Sequence, residues 1–409
     1  MTGLNVIELT HERISYAGKL FADMGADVVI VEPPGGDPSR EYPPYLEDQP
    51  GPGRSLYFWH YNTSKRSVIL DLESEGGRAH FAKLVAGADV VLETEQPSAD
   101  GTTRLSRLGI DYKDIGESNA KLIWVSMTPY GRTGPRAAEP ATDLTLIAGS
   151  GMAWMCGYDD HSLPPVRGGG NQGYQTGCHY AVMSALTALL YRDVSGAGQY
   201  IDVNMNAAGN VTTEAGSYTW LVAKDTVRRQ TGRHAGVNPS MPSQVACADG
   251  RYVNTGIPPR RPDEFKRMHE WLIDLGIVDE FPLTPLLELG AQRERIDLSM
   301  IATNPEVAEI FGAGRECVNF VASRIPAAEF FAGAQNRGFQ VGIIYAPEEV
   351  FADRHFIARG FPTEVEHPEL GRSFTYPGAP YQFRGSPWGI SRRAPLLGEH
   401  TDEVLAALP

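Results

Sequence analysis

The sequence predicts an α/β fold in which helices cover both faces of a parallel β-sheet. Over the first 130 residues, short apolar runs rich in β-branched residues alternate with stretches of about 10 to 20 residues that have helical spacing. The runs are apolar along nearly their whole length rather than at every second position, as is typical of strands buried on both faces. Together these observations predict a Rossmann-like α/β domain.

Five strands are expected in this part of the chain. They are Val6–Leu9, Asp27–Glu32, Ser67–Leu72, Ala88–Glu93 and Leu122–Ser126. Two crossover helices, within 11–25 and 76–86, place their apolar residues on one face. Further along, the Ala-rich segment 177–192 predicts a buried helix that packs closely because its side chains are small.

The second half of the chain predicts a smaller domain and then a return to the first. A segment rich in Gly, Pro and Asn, 218–261, leads into a polar helical region, 261–324. Strand-like runs return at 341–345 and 363–365, and a short C-terminal helix is expected with Thr401 as its N-cap. We therefore predict a large domain over 1–210, a linker over 211–235, a small domain over 236–335 and a return to the large domain over 336–409.

Composition argues against several classes of function. The net charge is −14 and the 36 Lys and Arg form no basic block, so nucleic acid is not an expected partner. Because the start lacks a signal-peptide pattern and no run reaches 18 apolar residues, we expect a soluble cytoplasmic protein without membrane contact. The four cysteines are too far apart for CxxC spacing and are expected to be reduced. No metal-binding or GxSxG pattern occurs, so we expect neither a metal site nor a serine hydrolase.

Several residues are candidates for a ligand site, although none of them alone names a reaction. His11 follows the first strand, where open α/β sheets bind ligands, with a structural or capping role as the alternative. Gly168–Gly170 is expected to be a simple loop rather than a phosphate cradle. Cys178 and His179 are expected to pack rather than share a proton, because adjacent helical residues point about 100° apart.

Cations around the predicted sheet are a further group of candidates. They fall in loops or helix starts, where the phosphates of a nucleotide such as ADP-3'-phosphate would need positive charge. Solvated surface is the alternative for each of them. The group comprises Arg13, Arg40, Lys65, Arg66 and Arg107.

Segments along almost the whole chain resemble the class III CoA-transferases, the CaiB/BaiF-like family of formyl-CoA transferase, carnitine CoA-transferase and α-methylacyl-CoA racemase. In the family's order they are Val6–His11, Gly25–Asp37, Asn62–Leu72, Leu108–Gly109, Tyr130–Pro135, Pro164–Arg167, Ala188–Arg192, Gly196–Val203, His367–Gly371 and Pro395–Leu405. The resemblance implies a large domain built from both chain ends, a small domain between, and two chains threaded through each other like links. It also implies a CoA thioester as substrate and no bound cofactor.

The family's transferases use an aspartate that attacks the acyl-CoA thioester. In the family this residue lies four positions before the glycine that opens the Ala-rich helix. That glycine is Gly177 here, so the position of the nucleophile falls on Gly173. No Asp or Glu occurs from His161 to Arg192. The resemblance therefore implies a chain without the family's nucleophile, and we assign it no catalytic residue.

Other positions also depart from the family. Glu93–Ser98 replaces a CoA-contacting Glu-Asn-Phe-x-Pro-Gly segment and brings an acid beside a site meant for phosphates, and Pro33 replaces an arginine found in some members. Thr142 stands where relatives have a tyrosine or the racemase histidine, with Asp143 retained, which disfavours racemisation. The candidates for substrate or residual CoA binding are His11, Arg13, Arg40, Lys65, Arg66, Arg107, Thr142 and Asp143. Arg167 is expected to border the acceptor pocket.

These departures favour a non-catalytic subunit of a heteromeric class III CoA-transferase, with an Asp-containing paralogous partner that holds the CoA thioester. In character the chain resembles the Asp-less subunit of (R)-benzylsuccinate CoA-transferase, which suggests succinyl-CoA as donor, benzylsuccinate as acceptor and a heterodimer or heterotetramer. The main alternative is a CoA-ester hydratase, lyase or racemase that uses His11, Asp143 or His179 as base. A homomeric transferase with Asp143 or Asp159 as nucleophile is a further alternative.

Overall fold

The computed structural model describes residues 1–256 and 258–408 and divides into two units. The first unit contains residues 1–156, 164–227 and 351–408, and the second contains 157–163 and the described part of 228–350. The structure thus changes from one unit to the other near residues 227 and 350. The domain limits expected from the sequence at 210, 235 and 335 stay predictions.

A six-stranded parallel sheet forms the centre of the first unit. Its strands are β1 (Asn5–Leu9), β2 (Asp27–Glu32), β3 (Arg66–Ile69), β4 (Val90–Glu93), β5 (Ile123–Thr128) and β6 (Gln199–Asn204). They lie in the order β3-β2-β1-β4-β5-β6 and all neighbours are parallel. The five predicted strands are confirmed and β6 is an addition. The order reverses between β1 and β4, the point where open α/β sheets bind ligands at their carboxyl ends.

Helices cover both faces of this sheet, as expected. They are α1 (Ser15–Asp23), α2 (Leu56–Tyr61), α3 (Glu75–Ala86), α4 (Arg104–Arg107), α5 (Asp143–Gly149), α6 (Gln172–Ser195), α7 (Met205–Val211) and α8 (Ala215–Tyr218), followed by a π-helical turn, Thr219–Ala223. Phe21 of α1 and Ala181 and Ala185 of α6 are buried in the core on one face. Phe81 of α3 is buried on the other. The small side chains of α6 do pack inward, as the sequence predicts.

The second unit is mainly helical. Its elements are β7 (Arg228–Gln230), β8 (Arg233–Gly236), β9 (Gln244–Ala246), β10 (Tyr252–Asn254), α9 (Pro262–Asp274), α10 (Thr284–Gln292), α11 (Pro305–Arg324), α12 (Ala327–Asn336), β11 (Gly342–Ile343) and α13 (Pro347–Val350). Strands β9, β10 and β11 form a small antiparallel sheet. The hydrophobic core of the second unit contains Phe265, Trp271 and Phe330.

The chain then returns to the first unit with α14 (Arg354–Ala358), β12 (Pro362–His367), β13 (Arg372–Pro377) and α15 (Thr401–Ala406). The expectation that Thr401 caps α15 is wrong. His400 holds the N-cap position, and Thr401 is the first helical residue. The Thr401 hydroxyl instead accepts a 3.1 Å hydrogen bond from the N–H of Ile69, because β3 is an edge strand with a free backbone donor. Within the described ranges, no helix is long and apolar enough to cross a membrane.

Candidate functional site

Two helix N-termini meet at the carboxylate of Asp143. Oδ1 of Asp143 accepts hydrogen bonds from the backbone N–H groups of Gly173 at 2.8 Å and Tyr174 at 3.1 Å, both in the first turn of α6. Asp143 is itself the first residue of α5, where Thr142 is the N-cap. The carboxylate thus satisfies donors that a helix start leaves unpaired and lies in the favourable field of both helices.

Gly173 leaves room for this carboxylate. A Cβ atom at residue 173 would lie 3.1 Å from Oδ1 of Asp143 and 3.4 Å from Cβ of Leu146. An aspartate there would also bring a second carboxylate toward the first, and like charges at such separations repel. The structure therefore places Asp143 against the position that the family resemblance assigns to the nucleophile.

Arg167 and the glycine-rich loop lie beside the start of α6. Nη2 of Arg167 is 3.4 Å from Oδ2 of Asp143, an ion pair without a hydrogen bond, and 2.7 Å from the carbonyl oxygen of Gly170. Gly170 has a φ of +77°, which favours glycine at the turn into α6. The loop is irregular, as expected, and its arginine adds a positive charge next to Asp143.

His11 and Arg13 lie at the carboxyl end of β1. Nδ1 of His11 accepts a 3.1 Å hydrogen bond from the backbone N–H of Arg13. Burial, together with the nearby Arg13 charge, lowers the pKa of His11 to about 4. The imidazole is therefore neutral at pH 7 and is a weak base. Nη2 of Arg13 donates a 2.9 Å hydrogen bond to the carbonyl oxygen of Ala141. This bond connects the loop after β1 to the segment just before α5.

Cys178 is a buried structural thiol. Its Sγ donates to the carbonyl oxygen of Arg13 at 3.1 Å, and burial raises its pKa to about 12. The ring of His179 packs edge-on against Tyr16, with 5.5 Å between ring centroids. The two neighbours therefore have separate surroundings, and the thiolate needed for nucleophilic attack is absent at neutral pH.

Two of the candidate cations are engaged in buried ion pairs. Arg40 holds Glu32 through Nε–Oε2 at 2.7 Å and Nη2–Oε1 at 2.6 Å, and its Nη1 donates to Pro395 O. Nζ of Lys65 lies 2.8 Å from Oε2 of Glu8, and both side chains are fully buried. These cations neutralise acids of the sheet, which leaves them poorly placed to meet phosphates.

The other cations lie nearer the surface. Arg66 pairs with Asp27 and, at 3.0 Å, with Glu403. Arg107 is exposed and donates from Nη1 to the hydroxyls of Ser98 and Thr102 at 3.2 Å each. Of the five cations, Arg13 and Arg107 have no carboxylate partner in the part of the chain that the structure describes. The ligand roles of all five remain predictions.

The acidic segment after β4 is more balanced than its sequence suggests. Glu95 forms an ion pair with Arg104 at 3.1 Å, so its charge is largely compensated. Glu93 is buried, and desolvation raises its pKa to about 7 even though Nη1 of Arg132 lies 3.2 Å from Oε1. This segment therefore carries less uncompensated negative charge than the two glutamates in its sequence predict.

Sequence reasoning missed the central residue of this network, Arg132. Its Nη2 lies 3.0 Å from Oδ2 of Asp111, and its backbone N–H donates to the carboxylate of Asp202 at 3.0 Å. Arg132 lies in the segment 130–135 that resembles the family, but its partners come from distant parts of the chain. The spacing of charged residues in the sequence gives no sign of this arrangement.

Three hydroxyl groups at the carboxyl ends of adjacent strands were also missed. Thr10 follows β1, Thr94 follows β4 and Thr128 ends β5. Their Oγ1 atoms are buried and have no hydrogen-bond partner within residues 1–256 and 258–408. Buried hydroxyls are usually paired, so this edge of the sheet is suited to a ligand with hydrogen-bonding groups. Within the same ranges, no group of three or more His, Cys, Asp or Glu residues is arranged to hold a metal ion.

Comparisons with known proteins agree with this architecture. The sequence model of CoA-transferase family III matches residues 1–401. The chain is 34% identical to succinyl-CoA:(R)-benzylsuccinate CoA-transferase subunit BbsE of Thauera aromatica over 98% of this chain and 92% of that protein. It is 30% identical to a succinate–glutarate CoA-transferase of Agrobacterium fabrum, over 100% of this chain and 95% of the relative. A crystal structure of a CAIB/BAIF family protein from Brucella suis superposes with a TM-score of 0.78 at 25% identity, covering 100% and 99% of the two chains. The chain belongs to CoA-transferase family III.

Proposed function

We propose that this chain is the non-catalytic subunit of a heteromeric class III CoA-transferase that moves CoA from an acyl-CoA to a carboxylic acid. The observation that carries the proposal is the glycine at residue 173, in the first turn of α6. Glycine has no side chain that can attack a thioester, and no carboxylate occurs between His161 and Arg192 that could replace it. A paralogous subunit with aspartate at this position would supply the nucleophile.

Asp143 is a poor substitute for the missing nucleophile. Its Oδ1 accepts two backbone hydrogen bonds, Arg167 lies beside its Oδ2, and the residue is only 5% exposed. Hydrogen bonds to a carboxylate stabilise its charged form and reduce its tendency to attack. Through these contacts, Asp143 stabilises the N-terminus of α6.

The same geometry disfavours the alternative of a hydratase, lyase or racemase. A general base works best when its pKa is near the working pH, whereas that of His11 is lowered to about 4. His179 packs against Tyr16, and Asp143 is held by α6. The low pKa of His11 and the hydrogen bonds of Asp143 support the proposal over an alternative in which either acts as the base.

Exposed apolar side chains support a partner chain. On α6 they lie at Met183, Leu190, Tyr191 and Val194, with Val194 91% exposed. A second group, at Val211, Trp220, Leu221 and Val222, lies in and near the π-helical turn. Large exposed apolar surfaces usually mark sites of protein association. We propose that the Asp-containing paralogue covers them, in an interlocked heterodimer or heterotetramer.

The relatives suggest the substrates. The Thauera aromatica relative is named as a subunit of succinyl-CoA:(R)-benzylsuccinate CoA-transferase, and the Agrobacterium fabrum relative as a succinate–glutarate CoA-transferase. We therefore propose succinyl-CoA as donor and a benzylsuccinate-like dicarboxylate as acceptor. Because Arg40 and Lys65 form ion pairs with buried acids, we propose that the partner holds the CoA thioester. We also propose that no further cofactor is bound. The four free cysteines suit a cytoplasmic location.

The proposal is tested by producing the chain alone and together with an Asp-containing paralogue. Each preparation is incubated with succinyl-CoA and then hydroxylamine, which converts an aspartyl- or glutamyl-CoA thioester on the protein into a hydroxamate. Mass spectrometry of peptides is expected to find the hydroxamate on the paralogue only, and transfer activity is expected only from the pair. A paralogue whose nucleophilic aspartate is replaced by alanine is the control. A hydroxamate on this chain, or transfer by this chain alone, would contradict the proposal.

A further inference from the structure

An open groove of about 440 Å³ lies in the C-terminal part of the first unit. It is formed where the end of α14 meets the segment that follows β13. Arg359 and Arg384 line it, together with the side chains of Tyr381, Phe383 and Trp388. None of these residues has a role in the site around Gly173.

The two arginines that line the groove are exposed. Neither side chain has an ion pair or hydrogen bond in the part of the chain that the structure describes, whereas Arg40 and Arg393, for example, each hold a carboxylate bidentately. The protein has a net charge of −14, so acids are not scarce. Two unpaired guanidinium groups at one groove favour an anion, since their planar donor pattern matches carboxylate and phosphate.

Aromatic rings form the other part of the groove. Tyr381 and Phe383 pack at 5.2 Å between ring centroids with an interplanar angle of 54°, and Phe383 is 54% exposed. Trp388 lies in the same groove, and Nζ of Lys19 is 6.0 Å from its ring. Exposed rings beside free guanidinium groups offer stacking surfaces for a flat ligand.

The groove lies beside the C-terminal end of α1. The N–H of Gly389 donates to the carbonyl of Asp23 at 3.0 Å, which places this segment at the C-terminal end of α1. His11 and Arg13 precede the other end of α1, which is nine residues long, or about 14 Å at 1.5 Å per residue. A ligand in the groove would therefore not occupy the crevice between β1 and β4.

We propose that this groove binds an anion carried on a planar ring, either an aryl carboxylate or a nucleoside monophosphate. Arg359 and Arg384 hold the anionic group, and Phe383 and its neighbouring rings stack on the ring. The aryl carboxylate and the nucleoside monophosphate both carry an anionic group and a planar ring, and they differ in the size of the ring system. The inference goes beyond the proposed CoA transfer and does not depend on it.

Calorimetric titration of the full chain, without CoA or a partner, tests the proposal. The probes are benzoate, AMP, inorganic phosphate and cyclohexanecarboxylate, which separate the contribution of the ring from that of the charge. Benzoate or AMP is expected to bind at least tenfold more tightly than the probe that lacks its planar ring. The double variant R359Q/R384Q is expected to weaken that binding at least tenfold, and F383A about threefold or more.

Arg354 provides the matched control, because it is an exposed arginine of α14 that does not line the groove. R354Q is expected to bind like the wild type. The single variants R359Q and R384Q keep the test valid if the double variant fails to fold. Absence of binding, or equal binding by wild type and R359Q/R384Q, overturns the proposal. It is likewise overturned if the double variant retains ligand binding but loses association with the paralogue, since the groove would then be an interface.

Discussion

The backbone N–H of Gly173 donates a 2.8 Å hydrogen bond to Oδ1 of Asp143, and this contact joins the start of α6 to the start of α5. Residues 30 positions apart in the sequence are therefore joined through one carboxylate. The glycine at residue 173 has no side chain between its backbone and the Asp143 carboxylate, which lets the carboxylate approach closely. In the proposed non-catalytic role, the same position would combine the absence of a nucleophile with this structural contact.

Restoring an aspartate at residue 173 is expected to destabilise the chain rather than activate it. In G173D a second carboxylate lies beside Asp143, so we expect it to be about 1 kcal/mol less stable than G173A at pH 7.5. The repulsion requires both carboxylates to be charged, so the difference in stability between G173D and G173A is expected to narrow as the pH is lowered toward 5. Urea unfolding at the two pH values measures this, and G173A controls for the added Cβ. A more stable G173D at pH 7.5 would contradict the expected repulsion.

Gly18 of α1 is expected to be intolerant of any side chain. A Cβ atom there would overlap Oε2 of Glu8 and crowd the buried Lys65, so G18A must displace a fully buried ion pair. We expect a loss of about 3 kcal/mol or more in the free energy of unfolding, since breaking such a pair leaves charge buried and unpaired. Denaturant unfolding measures the loss.

Gly76 of α3 is the matched control for this substitution. It is also a helical glycine, but a Cβ atom there meets nothing within 4 Å. G76A should therefore be neutral or more stable by up to about 1 kcal/mol, because alanine is the better helix former. If the two variants were equally stable, the buried pair of Glu8 and Lys65 would not be sensitive to the space that Gly18 leaves.

Glu93 is expected to make the chain less stable as pH rises. Its pKa is about 7 in the folded state against an ordinary value of 4.5, so the folded state binds the extra proton. The stability that this proton gives is complete below pH 4.5 and is lost as pH rises toward and through 7, on the order of 3 kcal/mol in all. In E93Q, the slope of unfolding free energy against pH between 5 and 7 should flatten. E95Q, which changes a neighbouring acid, should keep the wild-type slope, and an unchanged slope in E93Q would exclude this group as its source.

The exposed face of α6 is expected to be needed for the complex and not for the fold. Leu190 is 69% exposed and Val194 91% exposed, so L190E/V194E should leave the thermal unfolding of the isolated chain within about 2 °C of the wild type. Co-purification with the Asp-containing paralogue should be lost, because charges would be buried without partners. K113E, which introduces an acid at an exposed residue outside α6, should still co-purify. Retained association of L190E/V194E would place the interface elsewhere.

The sheet could be predicted from the sequence because its strands carry a strong local pattern. Residues 28–31 and 90–92 are continuously apolar, and such runs are typical of strands buried on both faces. Strand β6 was missed because it lies at the edge, where only Val203 is buried and polar residues interrupt the run. Thr401 was misassigned because a capping motif carries no information about an edge strand that the chain formed over 300 residues earlier.

The site was less predictable because its contacts link distant residues. The sequence identified Arg40 and Lys65 as cations near the sheet. Their partners, Glu32 and Glu8, are acidic residues within apolar strands, and they require a neutralising cation only because folding buries them. It also identified Asp143, yet not its hydrogen bonds to α6. The charge and spacing of residues in the sequence indicate which side chains could bind a ligand or react. The ion pairs and hydrogen bonds formed on folding determine which of these side chains remain free to do so.

The attachment of the C-terminal segment to the edge strand also constrains how the protein is made. The N–H of Ile69 reaches the hydroxyl of Thr401, and the carbonyl of Ser67 accepts from the N–H of His400 at 3.0 Å. The edge of the sheet is thus completed by residues that are synthesised more than 300 positions after β3. Until they emerge, β3 remains open to other strands, so the time of synthesis is also the time of greatest risk of aggregation. In the proposed interlocked complex, a paralogue translated nearby would meet the chain in this unfinished state, when threading two chains through each other requires the least unfolding.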